Sequence, residues 1–158
     1  MSVEAVRQFL APLGLADRVM EFAVSSATVE LAAKALQTQP ARIAKSLTFY
    51  AKDGGCLMLV TAGDQKIDNA KFKATFGCKA KMMSAEDALS ATSHAVGGVC
   101  PFSLPQGVAV YLDRSLQRFD TVYPAAGSAS SAVRLSCDEL FTASQAIAWI
   151  DVCKPREV

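Results

Sequence analysis

The sequence lacks the residue patterns that mark most metal sites and disulfide frameworks. It contains a single histidine, His94. Its five cysteines form no C-x-x-C pair: Cys56, Cys78, Cys100, Cys137 and Cys153. Because a zinc site needs about four such ligands at short spacings, we predict no metal and no cofactor. Scattered cysteines in odd number, without a signal peptide, are typical of free thiols in the cytoplasm, where we expect the protein to act.

An excess of one charge and long apolar runs are also missing. The 16 basic residues nearly balance the 15 acidic ones, for a net charge of +1. Proteins that hold long stretches of nucleic acid carry a basic excess, so any contact with RNA should be short. No apolar run approaches the roughly 18 residues of a membrane span, and we predict none. At 158 residues and 51% hydrophobic, residues 1–158 should form a single domain.

Motifs built around a nucleophile are absent as well. The sequence has no G-x-S-x-G, so a serine triad using His94 is disfavoured. Residues 127–131 lack the Lys-Ser/Thr ending of a phosphate-binding P-loop. Cys100 has two interpretations: a thiol whose pKa is lowered by nearby amides, or a small apolar side chain that fills space. A thiol-redox function through Cys100 has no resolving cysteine nearby in the sequence.

Periodicity and capping signals predict an α+β domain with a curved mixed β-sheet flanked by helices. The predicted helices are 3–13, a second that starts at one of several possible caps in 25–28 and runs to 36, 68–76, 84–92 and one that opens at Ser136, with a helical turn over 40–44. The predicted strands are 18–23, 46–51, 56–62, 79–82, 108–112, 121–123 and 132–135. Residues 146–152 fit a helix or a strand, and we favour a strand at 149–152. We expect the chain to fray from Pro155 onwards.

Two segments carry the most chemical information. In Gly97-Gly98-Val99-Cys100-Pro101-Phe102, the adjacent glycines can present backbone N–H groups to a ligand, and Pro101 stiffens the segment. The alternative is an ordinary tight turn. Lys45, predicted between a helical turn and a strand, offers a compact positive charge to a phosphate, a carbonyl or an oxyanion. Its alternative is a solvated lysine.

Other segments have weaker signals. The Gly63-Asp64 turn either faces a site or serves only as a turn, and Gly127-Ser128 either admits a ligand or forms a flexible loop. Asp64 and Asp113 form a carboxylate pair only if the fold brings them together. A basic cluster either is a solvated surface or receives an RNA backbone: Lys66, Lys71, Lys73, Lys79 and Lys81.

An ordered set of motifs resembles the YbaK/prolyl-tRNA synthetase editing-domain family over about residues 20 to 143. The first half contains Ile43-Ala44-Lys45-Ser46-Leu47 and Val60-Thr61-Ala62-Gly63-Asp64. The second half contains the glycine-proline segment at 97–102, Val110-Tyr111-Leu112-Asp113-Arg114, and Ala126-Gly127 leading to Val133-Arg134-Leu135.

The resemblance implies a free-standing aminoacyl-tRNA deacylase, which hydrolyses the ester of a wrong amino acid on a tRNA, often Ala or Cys on tRNA(Pro). It implies that the partner is the acceptor end of aminoacyl-tRNA, and it leaves a synthetase partner open. Lys45 and Gly98 are the implied catalytic residues. The implied substrate-binding residues are Phe22, Gly63, Asp64, Gly97, Val99, Cys100, Pro101, Phe102, Gly127 and Ser128.

The chain departs from the family at two places. Many relatives have a Tyr or His just before the second helix, where this chain reads Glu21-Phe22-Ala23-Val24. Relatives often have Gly-Gly followed by basic residues where this chain reads Ala126-Gly127-Ser128-Ala129-Ser130. The alternative function is therefore a non-catalytic module that binds a tRNA end or a nucleotide and is associated with a synthetase.

Overall fold

A five-stranded mixed sheet forms the centre of the protein, whose computed structural model describes residues 2–156. The strands lie in the order β6-β2-β3-β5-β8, while β1 pairs with β7 and β4 pairs with β9 in two small antiparallel ladders. The strands are β1 Val19–Glu21, β2 Ile43–Tyr50, β3 Cys56–Ala62, β4 Gln65–Ile67, β5 Val108–Asp113, β6 Tyr123–Pro124, β7 Ser131–Val133, β8 Trp149–Ile150 and β9 Cys153–Pro155.

The hairpin of β2 and β3 is the longest pairing in the central sheet. Its register runs from Ala44 opposite Ala62 to Tyr50 opposite Cys56. Every residue of β3 is buried, because β2 and β5 cover its two edges and apolar side chains cover its two faces. The continuous apolar sequence of β3 is the pattern expected of such a central strand.

The two faces of the sheet support separate hydrophobic cores, because successive side chains of a strand point to opposite faces. Met58 and Val60 of β3 belong to the larger core, together with Val6 and Leu10 of the first helix. Leu57 and Leu59 belong to the smaller core, which holds an aromatic group made of Phe49, Phe72, Phe76 and Tyr111.

Each α-helix of the described chain begins at a side chain that accepts a backbone N–H bond. The helices are α1 Val3–Leu10, α2 Val29–Leu36, α3 Asn69–Phe76, α4 Ala85–Thr92 and α5 Cys137–Ser144. Their N-cap residues are Ser2, Thr28, Asp68, Ser84 and Ser136. At α5 the cap is a full capping box, in which Glu139 also accepts from the Ser136 N–H and pairs with Arg18.

The α+β class and most predicted elements are confirmed, with differences at the margins. Strand β2 begins at Ile43, three residues before the predicted start, because β6 pairs with its first two residues. The predicted strand at 79–82 is wrong: its one bridge joins Met82 to Phe49. The prediction that the chain frays from Pro155 onwards is wrong for Pro155 and Arg156, because Pro155 pairs with Gln65 and the Arg156 N–H donates to the Asp64 carbonyl. Residues 157–158 lie outside the described part of the chain.

We predict that Ser136→Ala lowers the free energy of unfolding by about 1 kcal/mol, because the N-cap hydroxyl satisfies a helix N–H that is otherwise unpaired. Urea unfolding measures the change. The control is Ser90→Ala, an exposed position in the interior of α4 that caps nothing. Equal stability of Ser136→Ala and the wild type would contradict the role of the capping box.

Candidate active site

The cavity beside β2 exists because the pairing along that strand is interrupted. Ile43 and Ala44 pair with β6, and Thr48 and Tyr50 exchange backbone hydrogen bonds with residues 81–83. Between them, residues 45–47 face a cavity of about 280 Å³. An unpaired strand edge exposes backbone N–H and C=O groups, which can hydrogen-bond a ligand as they would a neighbouring strand.

The lining of this cavity combines small side chains with hydroxyl groups. The small residues are Ala27, Ala32, Ala44, Ala85, Ala88, Gly97, Ala125 and Ala132. The hydroxyl-bearing residues are Ser26, Thr28, Ser46, Thr48, Tyr123 and Ser131. Larger apolar side chains complete the wall: Ile43, Leu47, Met82, Met83, Val96 and Val99. Among the lining residues of the described chain, Lys45 carries the one charge.

Lys45 is half-buried and its amino group donates a hydrogen bond to the backbone carbonyl of Gln65, at the start of β4. Burial lowers the pKa of Lys45, and the positive charge of Arg156 lowers it further. The carboxylates of Glu30 and Asp64 act in the opposite direction on the same pKa. The ammonium therefore sits among charges contributed by α2, by the β3–β4 turn and by the end of the chain.

Ser46, the next residue on β2, lines the cavity with a buried hydroxyl that has no hydrogen-bond partner among the described residues. Buried polar groups in proteins are nearly always paired, because leaving one unpaired costs about 1–3 kcal/mol. A hydroxyl of this kind at the wall of a cavity can hydrogen-bond a ligand without breaking an existing contact. The sequence motif around Lys45 contains Ser46, but sequence reasoning assigned it no role.

The glycine-rich segment reaches the cavity through Gly97 and Val99, which lie on the wall with residues 45–47. Gly98 does not line the cavity. A Cβ at Gly98 would lie 2.7 Å from the Ser128 nitrogen and 2.8 Å from the Gly127 carbonyl carbon. The glycine at 98 is therefore required by the close approach of two backbone segments.

The remaining residues of that segment point elsewhere. Cys100 and Phe102 are fully buried in the larger core, and Pro101 lines a separate cavity of about 180 Å³ near the end of α5. Burial raises the pKa of the Cys100 thiol to about 12, although amides lie nearby. The space-filling interpretation of Cys100 is therefore the one that the structure supports. The Cys100 sulfur lies 3.5 Å from His94 Nε2, whose ring also contacts the Phe102 carbonyl.

Gly63 and Asp64 make the turn that leads from β3 into β4. A Cβ at Gly63 would lie 2.1 Å from the Pro40 carbonyl oxygen, so the turn packs directly on the chain before β2. Asp64 pairs with both terminal nitrogens of Arg118 at 3.0 and 2.6 Å, and that pairing lowers its pKa. Asp113 instead accepts from the Ser115 and Val152 backbones, so the two aspartates are occupied separately.

Phe22, Gly127 and Ser128 support the cavity wall without lining it. The Phe22 N–H donates to the Ser130 carbonyl, and Gly127, at φ +90°, approaches the Ser2 carbonyl at the start of α1. The Ser128 hydroxyl bonds that of Ser131 at 2.8 Å. The loop that contains Gly127 and Ser128 also places Ala129 against Gly97: a Cβ at Gly97 would lie 3.2 Å from the Ala129 Cβ.

Several lining residues escaped sequence reasoning. Thr28 was predicted only as a helix cap, and Tyr123 only as part of a strand. Ser26, Met82 and Val96 are scattered along the chain and share no motif, so no local signal could have joined them.

Among the described residues, no cluster of three His, Cys, Asp or Glu side chains could hold a metal ion. No helix of residues 2–156 is long and apolar enough to cross a membrane.

Comparisons with known proteins place the chain in a family. The model of the aminoacyl-tRNA editing domain matches residues 24–143. The uncharacterized protein YwhH of Bacillus subtilis (strain 168) is 48% identical over 157 residues, which cover 99% of this chain and 100% of YwhH. The chain therefore belongs to the aminoacyl-tRNA editing domain family, as the motifs at Lys45 and Gly97 predicted.

Solved structures share this fold along their whole length. One is described as a candidate trans-editing enzyme for prolyl-tRNA synthetase; it has a TM-score of 0.87 and 25% identity, over 98% of this chain and 99% of that one. Another is the hypothetical protein APE2540, with a TM-score of 0.85 and 26% identity, over 95% of this chain and 99% of that one.

We predict that Gly98→Ala lowers the free energy of unfolding by about 3 kcal/mol, because its Cβ would press on the backbone of Ser128. The control is Gly54→Ala, at φ +92° with open space around it, for which we expect about 1 kcal/mol. Urea unfolding of both variants measures the difference. A Gly98→Ala protein of wild-type stability would contradict the packing role of this glycine.

Proposed function

We propose that the protein is a trans-editing aminoacyl-tRNA deacylase that hydrolyses the ester of a misacylated tRNA. The expected substrate is tRNA(Pro) carrying a small amino acid such as Ala or Cys. The observation that carries the proposal is that Lys45 and two residues of the glycine-rich segment, Gly97 and Val99, line one small cavity. A cation and backbone N–H groups, which such a segment can supply, are the groups that stabilise a developing oxyanion.

The chemistry needs little from the protein, because an aminoacyl ester is already reactive. Among the described lining residues none is a carboxylate, an imidazole or a thiol. We infer that a water molecule, oriented by the neighbouring ribose hydroxyl, attacks the ester carbonyl and gives up a proton. The bond to the ribose oxygen then breaks, and that oxygen takes up a proton as the amino acid leaves. The protein orients these groups and stabilises the charge on the carbonyl oxygen, with Lys45 as the cation.

The composition of the wall supports a small amino acid. Alanines from α2, α4 and the chain after β6 limit the space beside residues 45–47, and the cavity volume is at the small end for ligand sites. Family members often carry a Tyr or His just before the second helix, which this chain lacks. Tyr123 on β6 and Thr28 at the start of α2 bring hydroxyl groups to the cavity instead.

The second candidate function is a module that binds a tRNA end without hydrolysing it. One observation favours it: the Lys45 amino group already donates a hydrogen bond to the Gln65 carbonyl. If that bond persists when the substrate is bound, Lys45 anchors the ligand but is poorly placed to stabilise an oxyanion. Retention of aminoacyl-tRNA with no release of amino acid distinguishes this function from the first.

Exposed lysines directly precede two residues of the cavity wall in the sequence. Lys79 and Lys81 are exposed, and the chain continues from them directly into Met82 and Met83 of the cavity wall. Lys73 on α3 lies beside Lys79 in a shallow depression of the surface. Phosphates of the tRNA acceptor end would meet these charges on the way to the cavity, a short contact that suits a net charge of +1.

The first experiment is deacylation of tRNAs charged with Ala, Cys, Ser, Thr and Pro by the wild type and by Lys45→Ala. We expect selective hydrolysis by the wild type and a loss of about 100-fold in Lys45→Ala, because the cation that stabilises the oxyanion is removed. Lys66→Ala, which removes an exposed lysine from the neighbouring strand β4, is the matched control. An unchanged rate in Lys45→Ala would rule out its catalytic role, and binding without turnover by the wild type would favour the binding module.

A second test addresses the path of the tRNA. The double variant Lys79→Ala, Lys81→Ala should raise KM for aminoacyl-tRNA and reduce the salt dependence of binding by about two phosphate contacts. Its kcat should not change, because neither lysine lines the cavity. Lys66→Ala, Lys154→Ala removes two exposed lysines that face each other across β4 and β9 and is the control. Equal KM and salt slope in both double variants would contradict this path.

A further inference from the structure

The last described residue, Arg156, lies close to Lys45 because strand β9 runs back along β4, whose first residue, Gln65, bonds the Lys45 amino group. Strand β9 pairs with β4, and the Arg156 N–H continues that ladder by donating to the Asp64 carbonyl at 3.0 Å. Lys45 donates to the carbonyl of Gln65, the next residue along. The Arg156 backbone and the Lys45 amino group therefore bond adjacent carbonyls, those of residues 64 and 65, and the charge of Arg156 lowers the pKa of Lys45.

The guanidinium of Arg156 crosses from the end of the chain to α2. Its Nη2 lies 2.6 Å from Glu30 Oε1, and its side chain is 26% exposed while that of Glu30 is 60% exposed. The Nε of Arg156 is buried and has no hydrogen-bond partner among the described residues. Arg156 is thus committed to a carboxylate on the helix whose Thr28 and Ala32 line the cavity.

Both carboxylates that act on Lys45 are paired with an arginine. Glu30 is paired with Arg156, and Asp64 with Arg118. The other charged or titratable group that faces Lys45 is the Cys153 thiol of β9, whose pKa burial raises to about 12. Lys45 itself forms no ion pair within 4.0 Å among the described residues. The two carboxylates that act on its ammonium, those of Glu30 and Asp64, are therefore already engaged with arginines.

A free carboxylate beside this ammonium would change its chemistry. An ammonium paired with a carboxylate has its charge compensated and its N–H bonds taken, so it stabilises an oxyanion less well. Glu30 already interacts electrostatically with Lys45 and extends from an exposed position on α2. Without Arg156, the cations left to Glu30 are Lys34, four residues further along α2, and Lys45, whose charge already acts on the Glu30 carboxylate.

We propose that Arg156 is a positioning residue for the cavity: it holds the Glu30 carboxylate away from Lys45, so that the Lys45 ammonium stays available to the ester of the substrate. The proposal rests on the deacylase function inferred above. It assigns to the end of the chain, outside the region matched by the editing-domain model, a role in the site.

The activity test is a double-mutant cycle on aminoacyl-tRNA. Arg156→Ala should lower kcat/KM by about 10-fold or more, since the freed Glu30 draws Lys45 out of position. Glu30→Gln alone should leave it within about 2-fold, and the double variant should recover to about that level. Arg156→Lys, which keeps a cation beside Glu30, should retain activity.

A purely structural role for the ion pair predicts a different pattern. If the pair only ties β9 to α2, Glu30→Gln loses as much activity as Arg156→Ala, and the double variant does not recover. That result overturns the proposal. Thermal unfolding of each variant shows whether any loss of activity reflects a loss of folded protein.

An NMR titration of the Lys45 amino group, made without tRNA, separates this proposal from the proposed function. Arg156→Ala should raise the pKa of Lys45, because the charge of Arg156 lowers it, and adding Glu30→Gln should lower it again. A Lys45 pKa that is unchanged in Arg156→Ala overturns the proposal. If the pKa moves as expected but the wild type hydrolyses no aminoacyl-tRNA, the proposed function fails while the arrangement of charges around Lys45 stands.

Discussion

The interrupted pairing along β2 is the constraint on which the site depends. Strand β6 covers only the first two residues of that edge, and residues 81–83 cover its far end. A full-length neighbour would have filled the gap with another strand and removed the cavity. The predicted strand at 79–82 fails to form in the place where such a neighbour would have extended. Its residues bend instead, so that Met82 and Met83 become part of the cavity wall.

Close backbone approaches hold the walls of the cavity in place. Gly98 packs on Ser128, Gly63 on Pro40, and Gly127 on Ser2, each at a distance that a Cβ would block or crowd. These contacts join segments that are far apart in sequence and fix the loops on both sides of residues 45–47. Glycine therefore serves this family member chiefly by letting loops touch each other. Only Gly97 of the adjacent pair reaches the cavity itself.

Electrostatics around Lys45 follow from the same arrangement. The β3–β4 turn, the end of the chain and α2 converge on the far side of β2, and each brings a charge. Burial and Arg156 make the ammonium less stable than in water, whereas Glu30 and Asp64 make it more stable. Because arginines occupy both carboxylates, the positive charge of Lys45 is not consumed by an ion pair. The pairing pattern is a property of the tertiary structure, since Arg156 and Glu30 are 126 positions apart in the sequence.

The sequence by itself determined the elements and the family. Capping residues such as Asp68 and Ser136, and the apolar run of β3, depend on local contacts, so their signals are visible within a few residues. The motifs around Lys45 and Gly97 are also short continuous segments, so the sequence alone indicated the family and two walls of the site. Only the tertiary structure decided that Cys100 and Phe102 are buried in the core, and that Ser46 and Tyr123 line the cavity. The direction of those side chains is set by which distant segment covers each one, and no local pattern encodes that choice.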